Sequence, residues 1–253
     1  MTANETSGTS RTTSQTSPTE TLTVEIWSDV VCPWCYIGKR RFEAAAAQLR
    51  DEVDLQVVFR PYQLDPTASP GKSAPVIEAY AKKFGGPERA AQIINHVTEV
   101  AAGEGLEFHM DTALRANTLL AHRLLFLAEG TGHQYALKER LLQAYFCDGI
   151  DIGDPDALAR CAADVGMPGD TVRAFLDSND GTEEVHQMLQ AAAQAEITAV
   201  PTFVLDGRWA VPGAQDAETF VNVIRRLLQR RADEAPEEPS AAADSCADES
   251  CDV

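Results

Sequence analysis

Apolar residues recur along this chain with two different periods. Near the N-terminus, Thr21-Leu22-Thr23-Val24-Glu25-Ile26-Trp27 is apolar and β-prone, and predicts a strand over 22–27. From Tyr36 to Arg50 the spacing changes. Ile37, Phe42, Ala45, Ala46 and Leu49 fall on one side of a helix over 36–50. Leu55-Gln56-Val57-Val58-Phe59 predicts a second strand, ended by Pro61 and Pro66. The helical period then dominates from about Ser73 to Glu196. Helices are expected over 74–84, 87–103, 115–129, 133–146, 155–165, 169–178 and 182–196. Gly85-Gly86-Pro87, Gly103, Gly130-Thr131-Gly132, Asp154-Pro155, Gly166 and Gly181 punctuate them. The strand period returns at Thr202-Phe203-Val204-Leu205. Asp206-Gly207 is a tight-hairpin signal, and Arg208-Trp209-Ala210-Val211 is the returning strand. A last helix over 216–230 turns Phe220, Val223, Ile224, Leu227 and Leu228 inward. The order is βαβ, a large helical block, then ββα, with no internal repeat.

The 253 residues can bury a full core. The formal net charge of -18 argues against nucleic acid or anionic membrane as a partner, because both carry phosphate. Only five residues are lysine: Lys39, Lys72, Lys82, Lys83 and Lys138. An acid-rich, lysine-poor surface is consistent with a high-salt cytoplasm, where stability should rise with added KCl. Residues 1–20 are rich in Thr and Ser and lack the apolar core of a signal peptide, so a disordered polar arm is expected. Residues 232–253 are acidic and rich in Ala, Pro and Ser, and read as a disordered tail. No segment approaches the apolar length of a membrane span. The expectation is a soluble, cytoplasmic protein. The pattern divides it into a discontinuous sheet domain (21–72 and 197–231) and a helical insertion (73–196). No self-complementary seam sets an oligomeric state.

Cys32-Pro33-Trp34-Cys35 lies between the first strand and the first helix. Two cysteines so spaced can be metal ligands or partners in a labile disulfide. A strand, a short loop and a CxxC opening a helix is the arrangement of thiol–disulfide exchange. Free N–H groups and the helix dipole there favour a thiolate, the species that attacks a disulfide. Cys32 is the candidate nucleophile and Cys35, one turn inward, the resolving thiol. Pro33 suits the first helical turn. Trp34 either faces substrate or covers the disulfide. Cys246 and Cys251 form a CX4C in the acidic tail. About 20 flexible residues reach roughly 25 Å r.m.s., enough to return to the active site. The tail dithiol is therefore a candidate auxiliary redox pair; exposed idle thiols or metal capture are the alternatives. Cys147 and Cys161 read as small buried hydrophobes, a mutual bridge being the other option. Asp29 is either a tuner of the Cys32 thiol or a turn residue, and His122 either lines a groove or packs. The other histidines show no ligand spacing.

Several segments together resemble the DsbA family of thioredoxin-like oxidoreductases, most closely its intracellular FrnE-like branch. They are Trp27-Ser28-Asp29-Val30-Val31-Cys32-Pro33-Trp34-Cys35-Tyr36-Ile37-Gly38-Lys39, Asn117 with Ala121-His122-Arg123-Leu124, Gly149-Ile150-Asp151-Ile152, Val200-Pro201-Thr202-Phe203 and Val211-Pro212-Gly213-Ala214-Gln215. The likeness covers roughly residues 22–230. It implies an α/β thioredoxin fold, a mixed β-sheet with flanking helices, interrupted by a large all-helical insertion. It also implies that Val200-Pro201 is a cis peptide beside the CxxC, binding extended substrate backbone through Val200. The Pro-Trp dipeptide departs from the Pro-His of the strongly oxidising periplasmic enzymes and implies a weaker oxidant.

The expected function is thiol–disulfide exchange, oxidoreductase or isomerase, with protein or peptide thiols and disulfides. No cofactor is expected beyond the dithiol itself; glutathione or a thioredoxin-type protein is a candidate reductant. A glutathione-dependent isomerase or kappa-class-like glutathione transferase is the alternative within the same fold. Those enzymes characteristically carry serine at the first cysteine position, so Cys32 with Cys35 favours dithiol chemistry. A different class is a non-enzymatic metal or redox-sensing protein, with Cys32, Cys35, Cys246 and Cys251 around Zn²⁺. The mixed spacing makes no resident metal the expectation.

Overall fold

The computed structural model describes residues 20–234. Its elements follow as β1 (Glu20–Ser28), α1 (Pro33–Leu49), β2 (Val53–Pro61), β3 (Ala74–Pro75), α2 (Val76–Phe84), α3 (Pro87–Gly103) and β4 (Leu114–Arg115). They continue as α4 (Leu119–Gly130), α5 (Gln134–Phe146), α6 (Pro155–Asp164), α7 (Gly169–Asp177), α8 (Thr182–Gln194), β5 (Thr202–Leu205), β6 (Trp209–Pro212) and α9 (Ala217–Glu234). The main sheet has the order β2-β1-β5-β6. β1 runs parallel to β2 and antiparallel to β5, and β6 returns antiparallel beside β5. Ile26 lies between Phe59 and Phe203 in this register. Strands from both ends of the chain thus share one sheet, the mixed α/β arrangement with flanking helices that the resemblance implies.

Two apolar cores meet along α1. Phe42 from α1, Phe203 from β5 and Phe220 from α9 form an aromatic triad with centroids 5.3, 5.4 and 4.5 Å apart. Each such pair adds roughly 1 kcal/mol beyond its buried area. Leu22, Val24, Leu49 and Ile224 complete this sheet core. Tyr36 and Ile37, on the first turns of α1, instead join the helical core with Leu124, Leu141, Phe146 and Leu158. The N-terminus of α1 is therefore fixed between both cores.

The edge of the sheet at β2 is closed by a side chain. Gln134 at the start of α5 accepts the Phe59 N–H at 2.9 Å and donates to the Phe59 carbonyl at 3.0 Å. Its amide stands in for a neighbouring strand at this one residue of the edge. The hairpin turns at Asp206 and Gly207, with left-handed φ of 57° and 65°, but Leu205 pairs with Trp209, so Arg208 belongs to the loop and the returning strand begins one residue later than its sequence suggests.

Some boundaries differ from the apolar pattern. Helix α1 begins at Pro33, not Tyr36, because Pro33 takes the first helical position and brings Cys35 into the helix. Helix α4 begins at Leu119, not 115. Asn117 accepts the Leu119 N–H at 2.9 Å, while Leu114–Arg115 pairs with Ala74–Pro75 as a short two-stranded ladder inside the helical block. The polar arm gives up Glu20, which pairs with Val53 in the sheet. The tail gives up residues 232–234, which extend α9. Arg231 ties these ends together through Glu20 at 2.8 Å and through Asp206. Among the described residues, no helix is long and apolar enough to cross a membrane.

Candidate active site

The strand β1 ends at Ser28, and Asp29 to Val31 form the turn into α1. The Cys32 N–H reaches the Asp29 carbonyl at 3.4 Å, and Cys32 stands in extended conformation at the N-cap. The Cys35 N–H donates to the Cys32 carbonyl at 3.0 Å, so Cys35 already belongs to the first turn. Both sulfurs are unbridged and buried, each residue only 3% exposed. The Cys32 thiol donates to the Val200 carbonyl at 3.7 Å across the chain. The Val200–Pro201 peptide is cis. Gly38 makes this approach possible: a Cβ there would stand 3.0 Å from Pro201 Cγ and 3.3 Å from Ala214. On the far side of the loop, the Gly213 N–H donates to the Pro201 carbonyl at 2.7 Å.

The fold therefore brings Cys32, Pro33, Trp34, Cys35, Val200 and Pro201 to one place. Cys246 and Cys251 lie outside the described residues. Trp34 is exposed, with its ring 6.2 Å from that of His96 on α3. A groove of about 690 Å³ opens in front of Cys32. Val76, Tyr80, Phe84 and Val97 line it from α2 and α3, together with Trp34 and Val200. Its walls are apolar, and Lys82 and Lys83 also border it.

Burial gives the two sulfurs different neighbours. Burial, then the bond and charge of Cys32, push the Cys35 thiol well above its ordinary range. Beneath it, Asp29 is fully buried and spends its carboxylate on three donors. Val30 N–H lies at 2.8 Å, Leu64 N–H at 2.8 Å and His122 Nε2 at 3.1 Å. His122 Nε2 also faces the Tyr62 carbonyl at 3.0 Å, so two acceptors require the proton on that nitrogen. Asp29 and His122 thus pair with each other, and His122 packs instead of lining the groove. Arg123 donates to the carbonyls of Asp180, Phe175 and Ser178, closing the C-terminal end of α7. Asn117 holds the segment after β2 through the Ala68 carbonyl at 2.7 Å. Of these three residues only His122 reaches the turn that carries the cysteines, through Asp29.

Lys138 was not singled out by its sequence. It is 1% exposed on α5, and its ammonium has no hydrogen-bond partner among the described residues. Burial pulls it from 10.5 down to about 8, opposed by the charges of Cys35, Asp29 and Cys32. A signal existed: Lys138 falls on the apolar stripe of Leu137, Leu141, Leu142 and Tyr145. Cys147 and Cys161 are unbridged, and burial raises both thiols. Among the described residues, no three His, Cys, Asp or Glu side chains converge as a metal site.

A thioredoxin-type sheet with paired buried cysteines at the start of its first helix defines a class, the DsbA-like thiol–disulfide oxidoreductases. The family model of the DSBA-like thioredoxin domain matches residues 23–225, and the chain belongs to that family. It is similar to a probable DsbA oxidoreductase from Streptomyces coelicolor, at 34% identity with a TM-score of 0.77. That match covers 92% of this chain and 99% of the other. An uncharacterised Bacillus subtilis protein, YwbO, is 31% identical over 81% of this chain and 96% of its own length. The cytosolic disulfide reductase DsbM of Pseudomonas aeruginosa, solved with glutathione, shares the fold at 18% identity. Its TM-score is 0.58, over 82% of this chain and 99% of DsbM.

Proposed function

We propose that the chain exchanges disulfides with protein or peptide substrates through Cys32 and Cys35, as a cytoplasmic oxidoreductase with isomerase capacity. The observation that carries this is the Cys32 sulfur resting on the Val200 carbonyl at the head of an apolar groove. Extended chain laid beside Val200 offers backbone to this loop and apolar side chains to the groove. In the reducing direction, the Cys32 thiolate attacks one sulfur of R–S–S–R′ and R′–S⁻ departs. Cys35 then attacks Cys32, R–S⁻ departs, and the protein holds the Cys32–Cys35 disulfide. Two electrons pass to the substrate, and its two thiolates take up two protons. A reductant such as glutathione or a thioredoxin-type protein reverses the change. Glutathione suits the groove in this reading, where Lys82 and Lys83 can face its carboxylates and Glu78 its ammonium. Nucleic acid and membrane are no part of this reading.

Cys246 and Cys251 serve in this reading as a second dithiol. Arg231 binds Glu20, at the end of β1 remote from Cys32. Nine strand residues put that end roughly 26 Å away. If the 17 positions from Glu234 to Cys251 act as a flexible linker in this reading, their r.m.s. span is about 22 Å. Contact is within reach, more readily for Cys251 than for Cys246.

The test is the reduction potential of Cys32–Cys35 in glutathione buffers, read by thiol trapping, for the full chain and for one ending at Arg231. A potential roughly between -120 and -270 mV supports the catalytic dithiol. A pair that does not cycle removes it. A potential and turnover unchanged by truncation remove the tail from the mechanism.

A further inference from the structure

The chain has five tyrosines, and three give their hydroxyls to the protein. Tyr36 donates to Glu139 at 2.7 Å, Tyr62 to the Thr198 carbonyl at 3.2 Å and Tyr135 to Glu43 at 2.5 Å. The other two are Tyr80 on α2 and Tyr145 on α5. Neither hydroxyl has a hydrogen-bond partner among the described residues, and both side chains line the groove in front of Cys32. Tyr145 is only 1% exposed, and a tyrosine so buried ordinarily spends its hydroxyl on a partner. Its oxygen is not sealed in the core. Among the described residues, the sealed side-chain atoms without a partner are Ser28 Oγ and Lys138 Nζ. The Tyr145 hydroxyl therefore faces the groove whose lining it shares with Tyr80, Val76 and Val97.

What these hydroxyls could hold follows from the rest of the lining. Glu78, Lys82 and Lys83 are exposed at the border, and Arg115 is spent on Asp65 at 2.5 Å. The buried lining offers no cation, which counts against a carboxylate reaching so far in. A neutral phenol fits. Its ring suits walls that include Trp34 and Phe84, and its hydroxyl can donate to one tyrosine and accept from the other. A volume of about 690 Å³ takes such a side chain together with the short segment that carries it. We propose that Tyr80 and Tyr145 are specificity-determining residues, selecting peptide disulfides that carry a tyrosine beside the reacting cysteine. The proposal rests on the dithiol reading above and narrows its substrate class. It also reverses an order. An apolar groove alone favours phenylalanine, because tyrosine must give up the water on its hydroxyl. Two free hydroxyls inside the groove favour tyrosine.

Blocked tripeptides with cysteine flanked on both sides by tyrosine, phenylalanine or alanine are prepared as symmetrical disulfides. The reduced full-length chain converts one R–S–S–R into two R–SH. Its two thiols supply the electrons and protons and become the Cys32–Cys35 disulfide. Second-order rates are read by acid quench and separation of the released peptide thiol. Wild type should favour the tyrosine peptide over the phenylalanine peptide about threefold to tenfold, the range of one hydrogen bond. Tyr145→Phe and Tyr80→Phe keep the rings and should bring that ratio to about one or below. The rate with the phenylalanine peptide should change much less. A merely structural loss slows all three peptides alike and leaves the ratio unmoved. A ratio lowered in either variant upholds the proposal. A phenylalanine peptide at least as fast in wild type, or a ratio unmoved in both variants, overturns it while the dithiol reading stands. If wild type reduces none of the three peptides, the dithiol reading falls and this proposal with it, so the two failures are distinct.

Discussion

Burying Lys138 without a partner must lower stability. Below pH 8 the folded and unfolded chains both hold the Lys138 proton, and the folded chain bears the full cost of a buried charge. Between about 8 and 10.5 the unfolded chain keeps a proton that the folded chain has released. Stability contributed by this group therefore rises with pH across that window. Lys138→Met should be more stable than wild type by about 3 kcal/mol at pH 7, and the gap should close near pH 10.5. Urea denaturation at the two pH values measures it; a gap that stays constant assigns the change to packing alone. At this scale the sequence was informative about identity and silent about company. Cys32, Cys35 and Pro201 carry their chemistry in their names and neighbours. Asp29 and His122 are 93 positions apart, and only the fold makes them a pair.

Helix α1 is held to α5 by a polar cluster outside the two cores. Glu139 accepts from Lys39 at 2.6 Å, from Tyr36 at 2.7 Å and from Arg40. Glu43 accepts from Lys39 at 2.5 Å and from Arg40 at 2.7 Å. Burial acts to raise both carboxyls, but these bonds outweigh it and hold them below the ordinary range. Folded values below the unfolded ones contribute stability above the unfolded value of about 4.5. That contribution is lost as pH falls through the folded values. Glu139→Gln should cost about 2 kcal/mol at pH 7, because Lys39 is only 2% exposed and loses one of two partners. The gap should narrow as pH falls from the unfolded value of about 4.5 through the lower folded value, where wild type protonates the same site. Thermal melts at pH 7 and at low pH check both parts. Elements like α5 were legible because their apolar stripes repeat over three or more turns. The start of α4 was not. Ala116, Leu119 and Leu120 fit a helical period, and the Asn117 side chain that interrupts it bonds Ala68, 49 positions away.

Over the whole molecule, charge sets the approach to the site. The net charge of -18 repels anions at long range, while Lys82 and Lys83 stand beside the groove. Arg115 and Asp65, at the same groove, neutralise each other at 2.5 Å, and Glu78 on α2 offsets one of the two lysines, leaving a surplus of one positive charge. The acid surplus was legible as composition; the local exception was not, because neighbouring lysines on an amphipathic helix read as any solvated face. The two fields act over different distances. The Debye length is about 30 Å at 0.01 M salt and about 10 Å at 0.1 M, so salt removes the distant field first. Added KCl should therefore act twice. It should raise the melting temperature by relieving self-repulsion, and it should change the rates of the reduced chain with charged disulfides in opposite directions. Oxidised glutathione, an anion, should react faster as KCl rises; cystamine, a cation, should react more slowly. Second-order rates for both, measured across a KCl series, separate the whole-chain field from the groove. If the rate with oxidised glutathione instead falls with salt, Lys82 and Lys83 govern its approach and the surplus of acid serves the protein elsewhere.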